Sequence, residues 1–178
     1  FSAHSTDTGT WNIWVIDFDG SNLTKLTDQS DFVEYSLPSA RHPDWSVNNK
    51  IVFHVRDSEI WTMNPDGSGK AKTGILPAMK LETGNENTST YNAVWSPDGN
   101  QIAFHGGSNV WVADPDGSNL KQISGSTGAN WTNYPSWSPD GTKLCFAVRT
   151  GNNTQIYMAN SDGTGDMVKI SDDEGASY

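Results

Sequence analysis

The chain has 178 residues and a mass of 19.4 kDa, which is the size of a single domain. It carries 21 acidic and 11 basic side chains, and a net charge of −10 argues against nucleic-acid binding, which needs a basic face. The mean hydropathy of −0.59 and the lack of any apolar run near ~20 residues argue against insertion into a membrane.

The first predicted elements make up an incomplete unit over residues 1–27. Phe1 stands where later units end an apolar strand, a second strand covers 13–17, and a short third strand ends at 26–27. The turn before that third strand contains Asp19-Gly20, a pair that favours hairpins because glycine accepts a positive φ. This unit therefore lacks strand a and most of strand b of the units that follow it.

Three complete units follow over 41–75, 91–124 and 134–171, and each is predicted to contain four strands, named a to d. Strand a ends in Trp-Ser, usually followed by Pro-Asp-Gly, in which proline fixes φ and glycine completes the turn. Strand b has the pattern Ile-Ala-Phe, strand c has Ile-Trp-Val, and strand d is short and ends in Leu-Thr or Ile-Ser. The unit over 41–75 departs from this pattern at its a–b turn and along strand d.

This repeat predicts the fold. The Asp-Gly pairs between strands c and d follow one another at intervals of 47, 50 and 46 residues. A period of about 40–50 residues with four strands in each unit is typical of a propeller blade. The predicted fold is therefore all-β: a β-propeller of four-stranded antiparallel blades, a single segment over 1–178 with about three and a half blades. No helix is predicted, and residues 76–90 are expected to form a loop.

Each end of such a segment leaves an apolar sheet face and a strand edge uncovered. We expect residues 172–178 to begin the connection to a further blade, so that the chain forms part of a larger propeller. The alternative is a small ring that is completed by pairing with another chain through the open propeller edges.

The order Trp-Ser-Pro-Asp-Gly, Ile-Ala-Phe, Ile-Trp-Val, Asp-Gly-Ser and Leu-Thr resembles the WD40-like (PD40) repeat of TolB-type propellers. The resemblance covers essentially the whole chain. It implies a periplasmic or extracellular protein that holds a protein or cell-envelope component, such as a peptidoglycan-associated lipoprotein, on its loop face.

The same repeat also occurs in enzymes and surface proteins, so three functions stay open. The first is the non-enzymatic binding scaffold that the TolB-like resemblance implies. The second is an enzyme, either a metal-dependent polysaccharide lyase of the oligogalacturonate lyase type or the propeller domain of a prolyl oligopeptidase-like enzyme. The third is a repeat module of a surface-layer protein. No catalytic residue is predicted in the chain itself.

The predicted site lies on the face where the d–a and b–c connections open, because these connections are longer and less regular than the hairpins. Aromatic residues outside the repeated core positions are available for a contact surface. Arginines that follow the b strands offer bidentate hydrogen bonds to a partner's carboxylates. The candidate partner-binding residues are Trp11, Phe32, Tyr35, Arg56, Trp131 and Arg149.

Histidines are expected on the same face. His54 and His105 end strand b in successive units, and His42 precedes strand a of the unit at 41–75. Converging imidazoles bind divalent metals, and the oligogalacturonate lyases that share this repeat place a metal on histidines. The alternative is that the repeat duplicates a packing position, which Ala147 occupies in the last unit. Apart from this divalent metal, no cofactor is predicted.

Overall fold

A computed structural model describes residues 1–6, 9–36, 38–56, 59–124 and 131–171. The strands in these ranges form one three-stranded and three four-stranded antiparallel sheets, which we call blades 1 to 4. Blade 1 contains β1 (Ser2–Ser5), β2 (Thr10–Val15) and β3 (Thr24–Lys25). Blade 2 contains β4 (Ala40–Trp45), β5 (Ile51–Val55), β6 (Glu59–Met63) and β7 (Ala71–Lys72). Blade 3 contains β8 (Thr90–Trp95), β9 (Ile102–Gly106), β10 (Asn109–Ala113) and β11 (Lys121–Gln122). Blade 4 contains β12 (Trp131–Trp137), β13 (Lys143–Thr150), β14 (Asn153–Asn160) and β15 (Val168–Lys169).

Within each blade the strands pair in chain order, and successive blades pack against one another. The first strands of blades 2, 3 and 4 contact each other in turn, so they lie nearest the propeller axis, and we call them the axial strands. This arrangement confirms the prediction of an all-β partial propeller of antiparallel blades. The connection predicted over 172–178 lies outside the described residues.

One apolar cluster fills each interface between successive blades. Its centre is a phenylalanine of strand b: Phe53, Phe104 and Phe146 are repeat-equivalent and at most 1% exposed. Trp61 of strand c packs into the cluster between blades 1 and 2, and Trp111 packs into the cluster between blades 2 and 3. Burying a large apolar side chain stabilises a fold by about 1.5–3 kcal/mol, so these interfaces hold the blades together.

The Leu-Thr and Ile-Ser endings of strand d have a defined role. The hydroxyl of Thr27 accepts the N–H of Ile13 at 2.8 Å, and that of Ser124 accepts the N–H of Val110 at 2.9 Å. Each hydroxyl thus satisfies a buried strand c amide beyond the end of the strand d ladder. Blade 2 has Gly74 at this position, which explains why its strand d departs from the repeat pattern.

A helix, α1 (Ile75–Thr83), begins directly after Gly74, within the segment expected to be a loop. Ile75 and Met79 form its buried side, a single i, i+4 pair that is too short to produce a visible helical period. The helix ends at Gly84, whose left-handed φ of +63° lets its N–H donate to the carbonyl of Lys80. In the described part of the chain, no helix is long and apolar enough to cross a membrane.

Candidate functional site

The three axial strands share a β-bulge at the same point of the repeat. Each bulge holds one residue other than glycine at positive φ: His42 at 49°, Asn92 at 52° and Tyr134 at 54°. A left-handed conformation costs such a residue roughly 1–2 kcal/mol, and bulges often redirect side chains beside functional sites. The recurrence of this costly geometry in three blades marks the bulges as a candidate site.

The bulges surround a pocket of about 260 Å³, which we call the axial pocket. Its wall includes a histidine, a carboxylate, an amide, a phenol and two prolines: His42, Asp44, Asn92, Tyr134, Pro43 and Pro135. Tyr134 lies on β12, the edge strand of blade 4, and its side chain is 62% exposed. The pocket therefore presents polar groups above a rigid apolar surface.

Hydrogen bonds between blades fix the floor of the axial pocket. The side-chain amide of Asn92 donates to Oδ1 of Asn133 at 2.8 Å, and the N–H of Tyr134 donates to the same oxygen at 2.8 Å. Oδ2 of Asp44 accepts the N–H of Trp95 at 2.7 Å. Within the described ranges, the Tyr134 hydroxyl and the His42 ring make no hydrogen bond, so they can bond to a ligand.

Three of the histidines lie in a row, but they do not converge on one point. The rings of His42 and His54 are 4.9 Å apart, and Tyr91 stands between His54 and His105, stacked on His105 at 4.2 Å. Among the residues that the structure describes, no three His, Cys, Asp or Glu side chains are grouped to hold a metal ion. The divalent metal at His42, His54 and His105 stays a prediction.

His54 and His105 join each blade to the next axial strand. Nδ1 of His54 accepts the N–H of Asn92 at 3.3 Å, whereas Nδ1 of His105 donates to the carbonyl of Thr132. The equivalent rings thus carry their hydrogens on different nitrogens. Burial lowers the pKa of His105, so its ring is neutral at neutral pH.

Phe32 was wrongly predicted to be a surface contact residue. It is 2% exposed and packs edge-to-face on Phe53 at 6.2 Å and on Trp61 at 5.2 Å between ring centroids. The 3₁₀ turn over Gln29–Phe32 folds the d–a connection back onto the interface of blades 1 and 2, where the ring completes the apolar cluster.

Tyr35 and Arg56 lie together at the loop end of blade 2. The guanidinium of Arg56 is 5.9 Å from the Tyr35 ring centroid, and the ammonium of Lys72 is 5.4 Å from it. Lys72 pairs with Glu34 at 2.9 Å and with Glu59 at 3.0 Å, and these contacts, that with Glu34 first, raise its pKa. Burial and the hydrogen bond to Glu59 raise the pKa of Tyr35 to about 12. The phenol therefore stays protonated as a donor.

The other candidates lie apart from this cluster. The Trp11 ring packs against the guanidinium of Arg41 at 5.3 Å. Trp131 pairs with Arg149 across β12 and β13, and its ring lies 6.3 Å from that of Tyr134, so it adjoins the axial pocket. Arg149 is exposed, and its Nε donates to the carbonyl of Gly151 at 3.1 Å.

Sequence reasoning missed Asp44, Asn92 and Tyr134. The available signal was the residue three places before the repeated Trp-Ser, which is His, Asn or Tyr in the three blades although its surroundings recur. Asparagine and histidine are enriched at positive φ but adopt it only in a minority of cases, and tyrosine is not enriched there, so this variation alone does not predict a bulge.

Repeat and structure together define the chain as a partial β-propeller built from four-stranded blades. More particularly, its fold is similar to that of TolB propellers. The chain is 31% identical over 164 residues to a Protein TolB homolog of Chlorobium luteolum, an alignment that covers 90% of this chain and 34% of that protein. The chain thus spans about a third of the length of that relative. No family model matches the chain.

Solved structures of other proteins share the fold of this chain. The crystal structure of TolB from Acinetobacter baumannii has a TM-score of 0.69 and 17% identity over 97% of this chain and 41% of that chain. A chain of the nidogen/laminin complex also has a TM-score of 0.69, with 13% identity over 97% of this chain and 61% of that one. At these identities, the likeness concerns the fold alone.

Proposed function

We propose that the chain is part of a non-enzymatic binding scaffold that holds a protein or cell-envelope component at the axial pocket. The observation that carries this proposal is the set of three bulges, each of which presents a different side chain from the same backbone position. A fixed backbone lowers the entropy lost on binding, because the contact groups are already in place.

The chemistry of the pocket suits a polar segment of a partner. The phenol of Tyr134 donates and accepts hydrogen bonds, the ring of His42 offers two nitrogens, and the carboxylate of Asp44 accepts. Pro43 and Pro135 add rigid apolar contact area beside them. Trp131, next to Tyr134, extends the aromatic part of this surface.

Similarity to TolB proteins supports a protein partner and a location in the periplasm or outside the cell. Both parts of the proposal concern the whole protein. The net charge of −10 is consistent with a protein or envelope partner rather than a nucleic acid.

Capture of envelope proteins on the immobilised chain tests the proposal. The test variant combines His42→Asn and Tyr134→Asn, because asparagine accepts positive φ and already occupies this position at Asn92. We expect proteins retained by the unaltered chain to fall at least about tenfold with this variant, measured by quantitative mass spectrometry.

The matched control is Phe18→Asn, which alters a fully exposed aromatic residue far from the axial strands. Capture by this control should equal that of the unaltered chain. Retention of the same proteins by the axial variant would show that the pocket is not the binding site.

A further inference from the structure

A second pocket, of about 320 Å³, lies away from the axis between α1 and the outer edge of blade 2. We call it the rim pocket. Residues of β6, of β7 and its end, and of α1 line it: Glu59, Ile60, Lys72, Thr73, Leu76, Pro77 and Lys80. Among the residues that the structure describes, α1 is the only α-helix, and it forms one wall of this pocket.

The α1 wall of the rim pocket is firmly placed. Ile75 and Met79 have no exposed surface and pack into the cluster between blades 2 and 3. At the start of the helix, the N–H of Gly74 donates to the carbonyl of Pro115 at 2.9 Å. The outward residues of α1 are therefore presented from a fixed position.

These outward residues are apolar. Leu76 and Pro77 line the pocket, and Leu81, one turn after Pro77 on the same side of the helix, is 87% exposed. A leucine this exposed gains apolar contact when a partner covers it. The helix thus offers an apolar surface on which an apolar side chain of a partner can pack.

The two lysines of the pocket differ in their pairing. Lys72 is neutralised by Glu34 and Glu59 at 2.9 and 3.0 Å. Lys80 has one ion pair in the described ranges, with Glu86 at 3.8 Å, and that glutamate side chain is 84% exposed. Such an exposed, distant pair is weak, so the Lys80 ammonium is able to take a carboxylate from outside.

The edge of β7 supplies backbone groups. β7 is the last strand in the sheet order of blade 2, and the N–H of Thr73 donates inward to the carbonyl of Ile60 at 3.0 Å. By the alternation of an antiparallel ladder, the N–H and C=O of Lys72 point outward. An extended peptide can pair with such an edge and place alternate side chains into neighbouring pockets.

We propose that the rim pocket binds an extended, acidic and leucine-containing segment of a partner protein. Its backbone pairs with β7, its carboxylate bonds to Lys80, and its leucine packs on Leu76 and Pro77. The site is separate from the axial pocket and stands independently of the function proposed there. The Glu59 carboxylate in the lining is held by Lys72 and by the Tyr35 hydroxyl, so the segment's carboxylate bonds to Lys80 rather than to Lys72.

The probe is a fluorescein-labelled peptide of alternating glutamate and leucine, about seven residues long, followed by fluorescence anisotropy at low salt. We expect Lys80→Glu to weaken its binding at least about tenfold, because the variant replaces attraction with repulsion. Leu76→Ser should weaken binding at least about fivefold by removing the apolar contact. The charge-matched control is Lys121→Glu, an exposed lysine on β11, which should change affinity less than about twofold.

Three results would overturn the proposal. They are no binding by the unaltered chain up to about 1 mM peptide, equal losses with Lys80→Glu and Lys121→Glu, or loss of binding with Tyr134→Asn. The last result would place the peptide in the axial pocket. Circular dichroism establishes that each variant is folded, and Lys80→Gln replaces Lys80→Glu if the latter is not.

Discussion

One carboxylate organises each hairpin between strands c and d. Asp19, Asp66, Asp116 and Asp162 accept the N–H and the hydroxyl of the Ser or Thr two residues later. These hydrogen bonds, the hydroxyl's first, lower the pKa of each carboxyl group. Ionised aspartates at the turns therefore support the fold, and their protonation in acid removes that support.

Asp140, in the a–b hairpin of blade 4, provides the sharpest test of whether ionised turn aspartates stabilise the fold. The Ser138 hydroxyl first, then the N–H and hydroxyl of Thr142, lower its pKa to about 2. Because the folded pKa lies below the ordinary 3.8, its stabilising contribution is present above about pH 4 and is lost as pH falls towards 2. We expect Asp140→Asn to make the fall of Tm between pH 4 and pH 2 shallower, as measured by circular dichroism.

The control for this experiment is Asp166→Asn, which removes an exposed carboxylate outside the a–b hairpins. Its pH profile should follow that of the unaltered chain more closely than the Asp140→Asn profile does. Parallel profiles for all three proteins would contradict a stabilising role for the Asp140 carboxylate.

Turn residues of this kind are the part of the molecule that sequence reasoning predicts best. Gly20, Gly67 and Gly117 have the positive φ that the Asp-Gly pairs of the c–d hairpins predict. In the a–b hairpin of blade 2, Asn49 takes the position that Gly99 holds in blade 3, at φ 54°. Local chemistry alone specifies these turns. Tyr134 was not predicted, because nothing local distinguishes a tyrosine at positive φ from one in a regular strand.

At the scale of elements, blade 2 shows how one altered position redirects the chain. Gly74 replaces the hydroxyl residue that ends strand d elsewhere, and α1 follows it. The backbones of Gly74 and the Asp116-Gly117 turn are so close that a Cβ on Gly74 would lie 1.8 Å from the carbonyl oxygen of Asp116. The sequence indicated an irregular strand d here, but helix formation depends on a tertiary contact with blade 3.

Gly74→Ala should therefore destabilise the chain by about 2 kcal/mol or more, because the backbones must separate to admit the methyl group. Urea denaturation measures this change, and hydrogen exchange should show lost protection along α1. The control Gly84→Ala meets no atom within 4 Å and bears only the cost of its positive φ, about 1 kcal/mol. A Gly74→Ala variant as stable as the Gly84→Ala variant would contradict the close approach.

For the whole molecule, stability depends on the interfaces between neighbouring blades. Each interface contains its own apolar cluster, and among the described residues no cluster joins blades that are separated by another blade. Periodicity predicted the blades, because every repeat brings the same strands and turns. It did not predict the axial pocket, because that pocket depends on how several blades are inclined to one another.

Phe104→Ala should reveal this modular stability. Loss of a fully buried phenylalanine typically costs about 3–5 kcal/mol, and here the loss falls on the interface of blades 2 and 3. We expect urea unfolding with a reduced m value, or two transitions, because the blades on either side become uncoupled. Phe18→Ala, at an exposed site, should leave both midpoint and m value unchanged. A single transition with unaltered m for Phe104→Ala would argue against uncoupling.

The axial bulges also bear on how the surface chemistry of such a propeller can change. Histidine, asparagine and tyrosine hold nearly the same φ in three blades, within a range of 49–54°. The strand pairing around each bulge, rather than the identity of its side chain, therefore sets the backbone there. The side chains at these positions can therefore be substituted while the bulged backbone of the blade is kept. A library that randomises residues 42, 92 and 134 alone is a direct way to select propellers with altered recognition.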